Sequence, residues 1–183
     1  FREALASYPT GVTVVTAIGP NGPSGATANA VTSLSLDPPM MLACLDRDSR
    51  TLNSVRASGR FGVNALAAGQ EELALRFAAK HPEPDKWEGI EWAESQGSPR
   101  LAEALMWVAC ELRDLIEGGD HLIATGSVLE AESREAMPLI FHRGAYRAGA
   151  YHPATEPWLV TITSEAEFTY EKVKQDRFIV GSP

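Results

Sequence analysis

Hydrophobic positions in this chain recur mostly over short spans typical of β-strands, and only rarely with the three-to-four-residue spacing of a long amphipathic helix. Residues 2–8 predict the end of an amphipathic helix closed by Pro9 and Gly11. Val12, Val14 and Val15 with Thr13 and Thr16 form a β-branched run that predicts a strand, and Pro20-Asn21-Gly22-Pro23 predicts the turn of a hairpin. Residues 24–36 are small and hydroxyl-rich and end at Asp37-Pro38-Pro39. Met40 to Leu45 are all apolar, and such an unbroken run predicts a strand buried on both faces.

Ser49 is placed to cap a short helix over residues 50–58 that Gly59 ends, and residues 61–66 predict the next strand. Residues 71–80 carry the clearest helical pattern, with Leu73, Ala74 and Phe77 on one side. Residues 81–97 read as a polar loop anchored by Trp87 and Trp92. Later strands are predicted over residues 107–116, 121–129 and 139–141, and Gly118-Gly119-Asp120 predicts the turn between the first two. Many short strands, few helices and no internal repeat predict a mainly β fold, a closed or nearly closed barrel with peripheral helices. Residues 147–183 differ: Pro153 and Pro157 interrupt them, residues 158–163 alternate like a strand, and residues 165–177 are charged. They predict an extension to a domain spanning residues 1–146.

Composition narrows the function classes. With 183 residues, 44% apolar and 22% charged, the chain is sized for one folded domain with an appendage, which excludes a large multidomain enzyme and wholesale disorder. A formal net charge of −8 with scattered Lys and Arg argues against a nucleic-acid binder, which gathers basic residues on one face. The unbroken apolar runs, at residues 40–45 and 105–110, fall far short of the roughly twenty residues that span a bilayer, so no membrane helix is expected. No basic stretch leading into an apolar one opens the chain, so no signal peptide is expected. Cys44 and Cys110 each sit in an apolar run and are expected as buried, reduced thiols, which favours the cytoplasm. The four histidines are far apart and no CxxC occurs, so no metal site is expected.

Four segments hold candidate chemistry. Residues 27–35 offer hydroxyls and Asn29, suited to a polar planar ligand or to nothing more than a Thr-rich strand. Asp46-Arg47-Asp48-Ser49-Arg50-Thr51 precedes a helix, where free N–H groups and the positive dipole end attract phosphate; an ordinary Ser cap is the alternative. Gly119-Asp120-His121 sets an imidazole beside a tight turn, and His142-Arg143-Gly144 sets another next to a guanidinium; each is either an anion contact or a surface group. GxGxxG, GxSxG and HExxH are all absent, which leaves the Rossmann fold and hydrolase chemistry without support.

Taken in order, Pro9-Thr10-Gly11-Val12, Thr27-Ala28-Asn29, Thr32-Ser33-Leu34-Ser35-Leu36-Asp37-Pro38-Pro39, and Cys44-Leu45-Asp46 with Ser49 and Thr51 resemble the flavin reductase-like FMN-binding split-barrel family. Gly59-Arg60-Phe61-Gly62-Val63-Asn64, Arg76-Phe77-Ala78, Gly118-Gly119-Asp120-His121 and Phe141-His142-Arg143-Gly144 continue the resemblance to about residue 146. It implies a homodimeric split β-barrel that uses NADH or NADPH to reduce FMN or FAD and releases reduced flavin, by diffusion, to a separate oxygenase.

The resemblance implies that Thr27, Ala28, Asn29 and Ala30 line the isoalloxazine and ribityl chain, with Ser33 among the cofactor contacts. It implies that Cys44, Leu45 and Asp46 flank the flavin, that Ser49, Arg50 and Thr51 hold phosphate, and that Phe77 is an aromatic contact. His121, His142, Arg143 and Gly144 match positions associated with the nicotinamide nucleotide, His121 in a positioning or electrostatic role. Two departures, Ala26 and Ala30-Val31, put smaller side chains where relatives carry larger ones, which favours a diffusible flavin over a retained one. The tail resembles extensions on reductases that serve aromatic or steroid hydroxylases, packing on the barrel, the other subunit or the NADH site. A flavoprotein that keeps its flavin and a non-catalytic flavin-binding module are the competing readings. FMN against FAD stays open, and the lack of an Arg or Lys cluster for a 2′-phosphate leans towards NADH.

Overall fold

A computed structural model of the chain describes residues 1–148, 158–162 and 168–172. They fall in two units, Phe1–Gly149 and Ala150–Pro183. The first unit opens with α1 (Arg2–Ala6), β1 (Thr10–Gly11), β2 (Thr13–Gly19), β3 (Gly22–Ala28), β4 (Val31–Leu36), β5 (Pro39–Asp46) and α2 (Arg50–Ser58). It continues through β6 (Arg60–Ala65), α3 (Glu71–Ala78), α4 (Glu83–Trp87), β7 (Trp92–Ser95) and β8 (Ser98–Leu101). β9 (Met106–Gly118), β10 (His121–Ser133), β11 (Leu139–His142) and β12 (Ala145–Ala148) complete it. In the second unit β13 (Trp158–Ile162) and β14 (Phe168–Lys172) form an antiparallel pair. No described helix is long and apolar enough to cross a membrane.

Seven strands build the main sheet in the order β3-β2-β6-β9-β10-β5-β4, every neighbour antiparallel. The β9–β10 hairpin turns at Gly119, whose φ of 77° is a left-handed conformation that costs glycine nothing. β2 is covered on both faces because its neighbouring side chains point opposite ways. Val15 enters a core cluster with Ala43, Leu45, Leu52, Val55, Phe61 and Val63, while Val14 enters a second with Leu66, Ala74, Phe77, Trp87 and Leu139.

A buried polar knot joins the β7–β8 hairpin to this sheet. Asn64, with no exposed surface, donates from Nδ2 to Val14 O at 3.3 Å, Thr16 Oγ1 at 3.1 Å and Pro99 O at 3.3 Å, and accepts from Leu101 N at 2.8 Å. Thr16 Oγ1 in turn donates to Pro99 O at 2.6 Å. A buried amide is tolerated because every bond it offers is met.

Several sequence expectations need correction. β5 is not buried on both faces: Met41, Ala43 and Leu45 are buried while Met40, Leu42 and Cys44 are half-buried, and an all-apolar run has no period that reveals an open face. Cys44 is therefore partly accessible, whereas Cys110 is buried and its thiol is pushed up to about 12 by that burial. Residues 24–36 are two strands, β3 and β4, at opposite edges of the sheet. Residues 81–97 contain α4 and β7 rather than a loop, although Trp87 and Trp92 do anchor them, ring centroids 5.4 Å apart. α1 buries no residue, so its apolar side chains give it no packed face in this unit.

Candidate functional site

Two adjoining cavities open where β3, β5 and the start of α2 meet. β3 and β5 are separated by four strands in the hydrogen-bonding order, yet both line the smaller cavity, so the sheet curls strongly between them.

The larger cavity, about 510 Å³, is walled by Ala26 and Thr27 of β3, Asp46, Asp48, Ser49, Arg50 and Thr51 around the start of α2, Phe77, Ala78, Ala79 and Lys80 at the end of α3, and Glu83 and Lys86 of α4. Ser49 forms the helix N-cap, its Oγ accepting from Leu52 N at 3.4 Å, which leaves the hydroxyl proton to donate. Neither Arg50 N–H nor Thr51 N–H finds an acceptor among the described residues. Thr51 is 1% exposed, and its hydroxyl likewise bonds to no described residue. Lys86 is 5% exposed and donates from Nζ to Gly25 O at 3.2 Å. Burial pulls its ammonium below the ordinary lysine value, Glu83 opposes that shift and Arg50 adds to it.

The smaller cavity, about 300 Å³, is lined by Ala26 to Ala30 of β3 and the turn after it, Cys44 to Asp46 of β5, Ser49 and His121. It shares Ala26, Thr27, Asp46 and Ser49 with the larger one. Small side chains at Ala26, Ala28 and Ala30 leave room for a flat ligand against the backbone. His121 Nδ1 lies 2.8 Å from Asp120 Oδ1, and this bond holds the Asp120 carboxyl below the usual carboxylate range. The turn carrying both is tied down by Arg47, whose N–H donates to Asp120 O at 3.1 Å, whose Nη2 donates to Gly119 O at 2.7 Å, and which pairs with Glu117.

The fold thus gathers Thr27, Ala28, Asn29, Ala30, Cys44, Leu45, Asp46, Ser49, Arg50, Thr51, Phe77 and His121 around one pair of cavities. Ser33 is exposed on β4, and His142, Arg143 and Gly144 stand at the β11–β12 turn; neither cavity is lined by them. Thr27 has no hydroxyl proton left for a ligand, since Oγ1 donates to Ala74 O at 2.7 Å, and towards a ligand it can only accept. Glu83 and Lys86 were hidden from sequence reasoning in a stretch read as loop; the Pro82 start and the i, i+3 spacing of the pair were the available signal.

Chemically, the larger cavity fits a phosphate: two unpaired backbone N–H groups and an unpaired hydroxyl at a helix start, with Arg50 and Lys86 close by. Asp46 does not spoil it outright, since its Oδ1 accepts from Asp48 N at 2.8 Å. The smaller cavity fits a ring system next to that phosphate. Among the described residues no group of His, Cys, Asp and Glu is placed to hold a metal ion.

Known proteins resemble this chain over most of its length. Residues 5–150 match the model of the flavin reductase like domain. The reductase subunit HsaB of a flavin-dependent monooxygenase from Rhodococcus jostii (strain RHA1) is 41% identical over 148 residues, 80% of this chain and 75% of that protein. The NADH:FAD oxidoreductase of Streptomyces globisporus C-1027, solved with NAD and FAD fragments, superposes with a TM-score of 0.76 at 35% identity, covering 85% of this chain and 93% of that one. BorF, the flavin reductase component of a bacterial two-component tryptophan halogenase, gives 0.75 at 39% identity, covering 80% and 94%. The match of residues 5–150 to that domain, with relatives about 40% identical over four fifths of the chain and solved structures sharing its fold, makes this chain a member of the flavin reductase like domain family.

Proposed function

We propose that the protein is an NAD(P)H:flavin oxidoreductase, the small component of a two-component monooxygenase, reducing FMN or FAD and releasing it to a separate oxygenase. The observation that carries this reading is the pair of adjoining cavities, one walled largely by small side chains, one bearing unpaired donors at a helix start. The nucleotides supply the redox chemistry itself, a hydride passing from the nicotinamide to the flavin, so no side-chain nucleophile is needed.

The chain's residues bind and orient. The start of α2 with Ser49, Arg50 and Thr51 would hold the flavin phosphate, and Ala28 to Ala30 with Cys44 to Asp46 would border the ring. His121, oriented by Asp120 and clamped through Arg47, would place a nitrogen at the rim where the nicotinamide nucleotide enters. His142, Arg143 and Gly144, which line neither cavity, would reach that nucleotide across a subunit interface. The same reading includes a homodimer, a curled sheet that closes as a split barrel, residues 1–146 as the reductase domain with 147–183 as its extension, NADH rather than NADPH as donor, and a cytoplasmic location.

The deciding measurement is the loss of reduced-nicotinamide absorbance with dialysed protein, with NADH or NADPH, alone and with excess FMN or FAD. Oxidation that requires free flavin is the expected result. Oxidation of neither nucleotide with either flavin would overturn the reading; activity retained without added flavin would replace release by a retained cofactor.

A further inference from the structure

Four donors, two of them from the larger cavity's wall, converge on one carboxylate. Glu83 Oε1 faces Arg50 Nε at 3.3 Å and Lys86 Nζ at 3.5 Å, while Oε2 accepts from Gly25 N at 3.1 Å and Trp87 Nε1 at 3.3 Å. The Glu83 side chain is 16% exposed and that of Lys86 6%. Glu83, Arg50 and Lys86 all line the cavity whose other wall is the unpaired start of α2. Arg50 and Lys86 keep N–H donors to spare, but the carboxylate beside them already offsets part of their positive charge, so an entering phosphate is attracted less strongly than by two free cations. The Oε2 half of Glu83 is tied to β3 and to Trp87, which keeps the carboxylate in place whatever enters the cavity. Asp46 and Asp48 also face this space, with Lys80 as a further cation.

We propose that Glu83 is an internal competitor for the ligand's phosphate: its carboxylate engages Arg50 and Lys86 in the free protein and shares them when flavin phosphate binds, holding affinity low enough for reduced flavin to leave. This rests on the larger cavity being the phosphate site. A phosphate that enters meets two cations already half neutralised, and the grip that remains comes from the helix start and Thr51. The consequence is a site that recognises phosphate without retaining it.

The test compares FMN with riboflavin, which lacks the phosphate, by flavin fluorescence titration of the full chain. Wild type is expected to bind FMN more tightly than riboflavin, with the difference eroded by salt. E83Q keeps an acceptor and the side-chain volume but removes the charge; it is expected to tighten FMN by about three- to tenfold, the range set by a partly exposed charge pair, and to leave riboflavin unchanged. The FMN dissociation rate is expected to fall by the same factor. An unchanged or weakened FMN affinity in E83Q, with wild type still preferring FMN, would overturn the competitor role alone. Equal affinities of wild type for FMN and riboflavin would overturn the phosphate site beneath it. Should E83Q fail to fold, E83D, which withdraws the charge by one methylene, carries the same test: tighter FMN with unchanged riboflavin supports the role, and anything else overturns it.

Discussion

Gly25 lies in β3 directly behind Phe77, and replacing it with alanine tests how closely the cavity wall is fitted. A Cβ at Gly25 would lie 2.6 Å from both Cδ1 and Cε1 of Phe77 and 3.3 Å from Cζ2 of Trp87. Carbon atoms prefer about 3.5–4.0 Å, so the overlap is roughly 1 Å. The ring has little room to retreat: Phe77 is 1% exposed and stands edge-on to Trp87 with centroids 4.9 Å apart. Gly25 cannot retreat either, because its N–H is held by Glu83, its carbonyl by Lys86, and its strand register by Thr16. Overpacking of this kind costs about 1–3 kcal/mol. For a domain of this size each kcal/mol moves Tm by about 2–4 °C, so Gly25→Ala is expected to lower Tm by about 2–12 °C in calorimetry, and to weaken FMN binding as Phe77 shifts in the cavity wall. Phe77→Leu, destabilising alone, is expected to cost less in the Gly25→Ala background, a favourable coupling of about 1 kcal/mol in a double-mutant cycle. A Gly25→Ala protein that melts within about 1 °C of wild type, or strictly additive mutants, would refute the reasoning.

Other expectations follow from the same geometry. Ser49→Ala removes the α2 cap and a donor at the phosphate cradle; it is expected to cost about 1 kcal/mol of stability and to weaken FMN relative to riboflavin, read by melting and titration. His121→Ala is expected to raise the KM for NADH more than it lowers kcat in steady-state assays, and a loss of flavin binding instead would remove His121 from the nicotinamide side. Native protein treated with iodoacetamide is expected to label at Cys44, more slowly with FMN present, and at Cys110 only once unfolded, as mapped by mass spectrometry. The Cys110 thiol is raised in the fold from its ordinary 9.0 to about 12, so its contribution to stability is whole below about pH 9 and is lost as pH climbs towards 12. Cys110→Ala is accordingly expected to flatten the alkaline fall in unfolding free energy across that window; equal slopes in wild type and variant would contradict the assignment.

Local signals made α2 and the β9–β10 hairpin readable. Ser49 and Gly59 bracket the helix as a cap and a left-handed stop, at φ 66°, and Gly119 marks the turn. The cradle at Ser49, Arg50 and Thr51 was legible for the same reason, since helix-start chemistry is written in adjacent residues. α4 was not, because five residues opened by prolines carry no helical period. The sheet order was unreadable too: β6 lies between β2 and β9 through pairings such as Val63 with both Val15 and Val108, and nothing local records them. Glu83 and Lys86 matter only because the curled sheet and α3 bring α4 against β3, where Gly25 has no side chain to keep them out.

The alternation along β5 bears on how such a site can drift over evolutionary time. Met41, Ala43 and Leu45 point into the core, whereas Leu42, Cys44 and Asp46 point the other way, the last two at the cavity wall. Substitutions of one parity are screened by folding and those of the other by ligand, so the slot can be resculpted residue by residue without reopening the interior. A one-residue deletion within the strand would exchange the two sets at a stroke, setting Asp46 against the core and turning the Leu45 side chain out of it. Tolerance to substitution and intolerance to changes of length are thus expected in the same eight-residue strand.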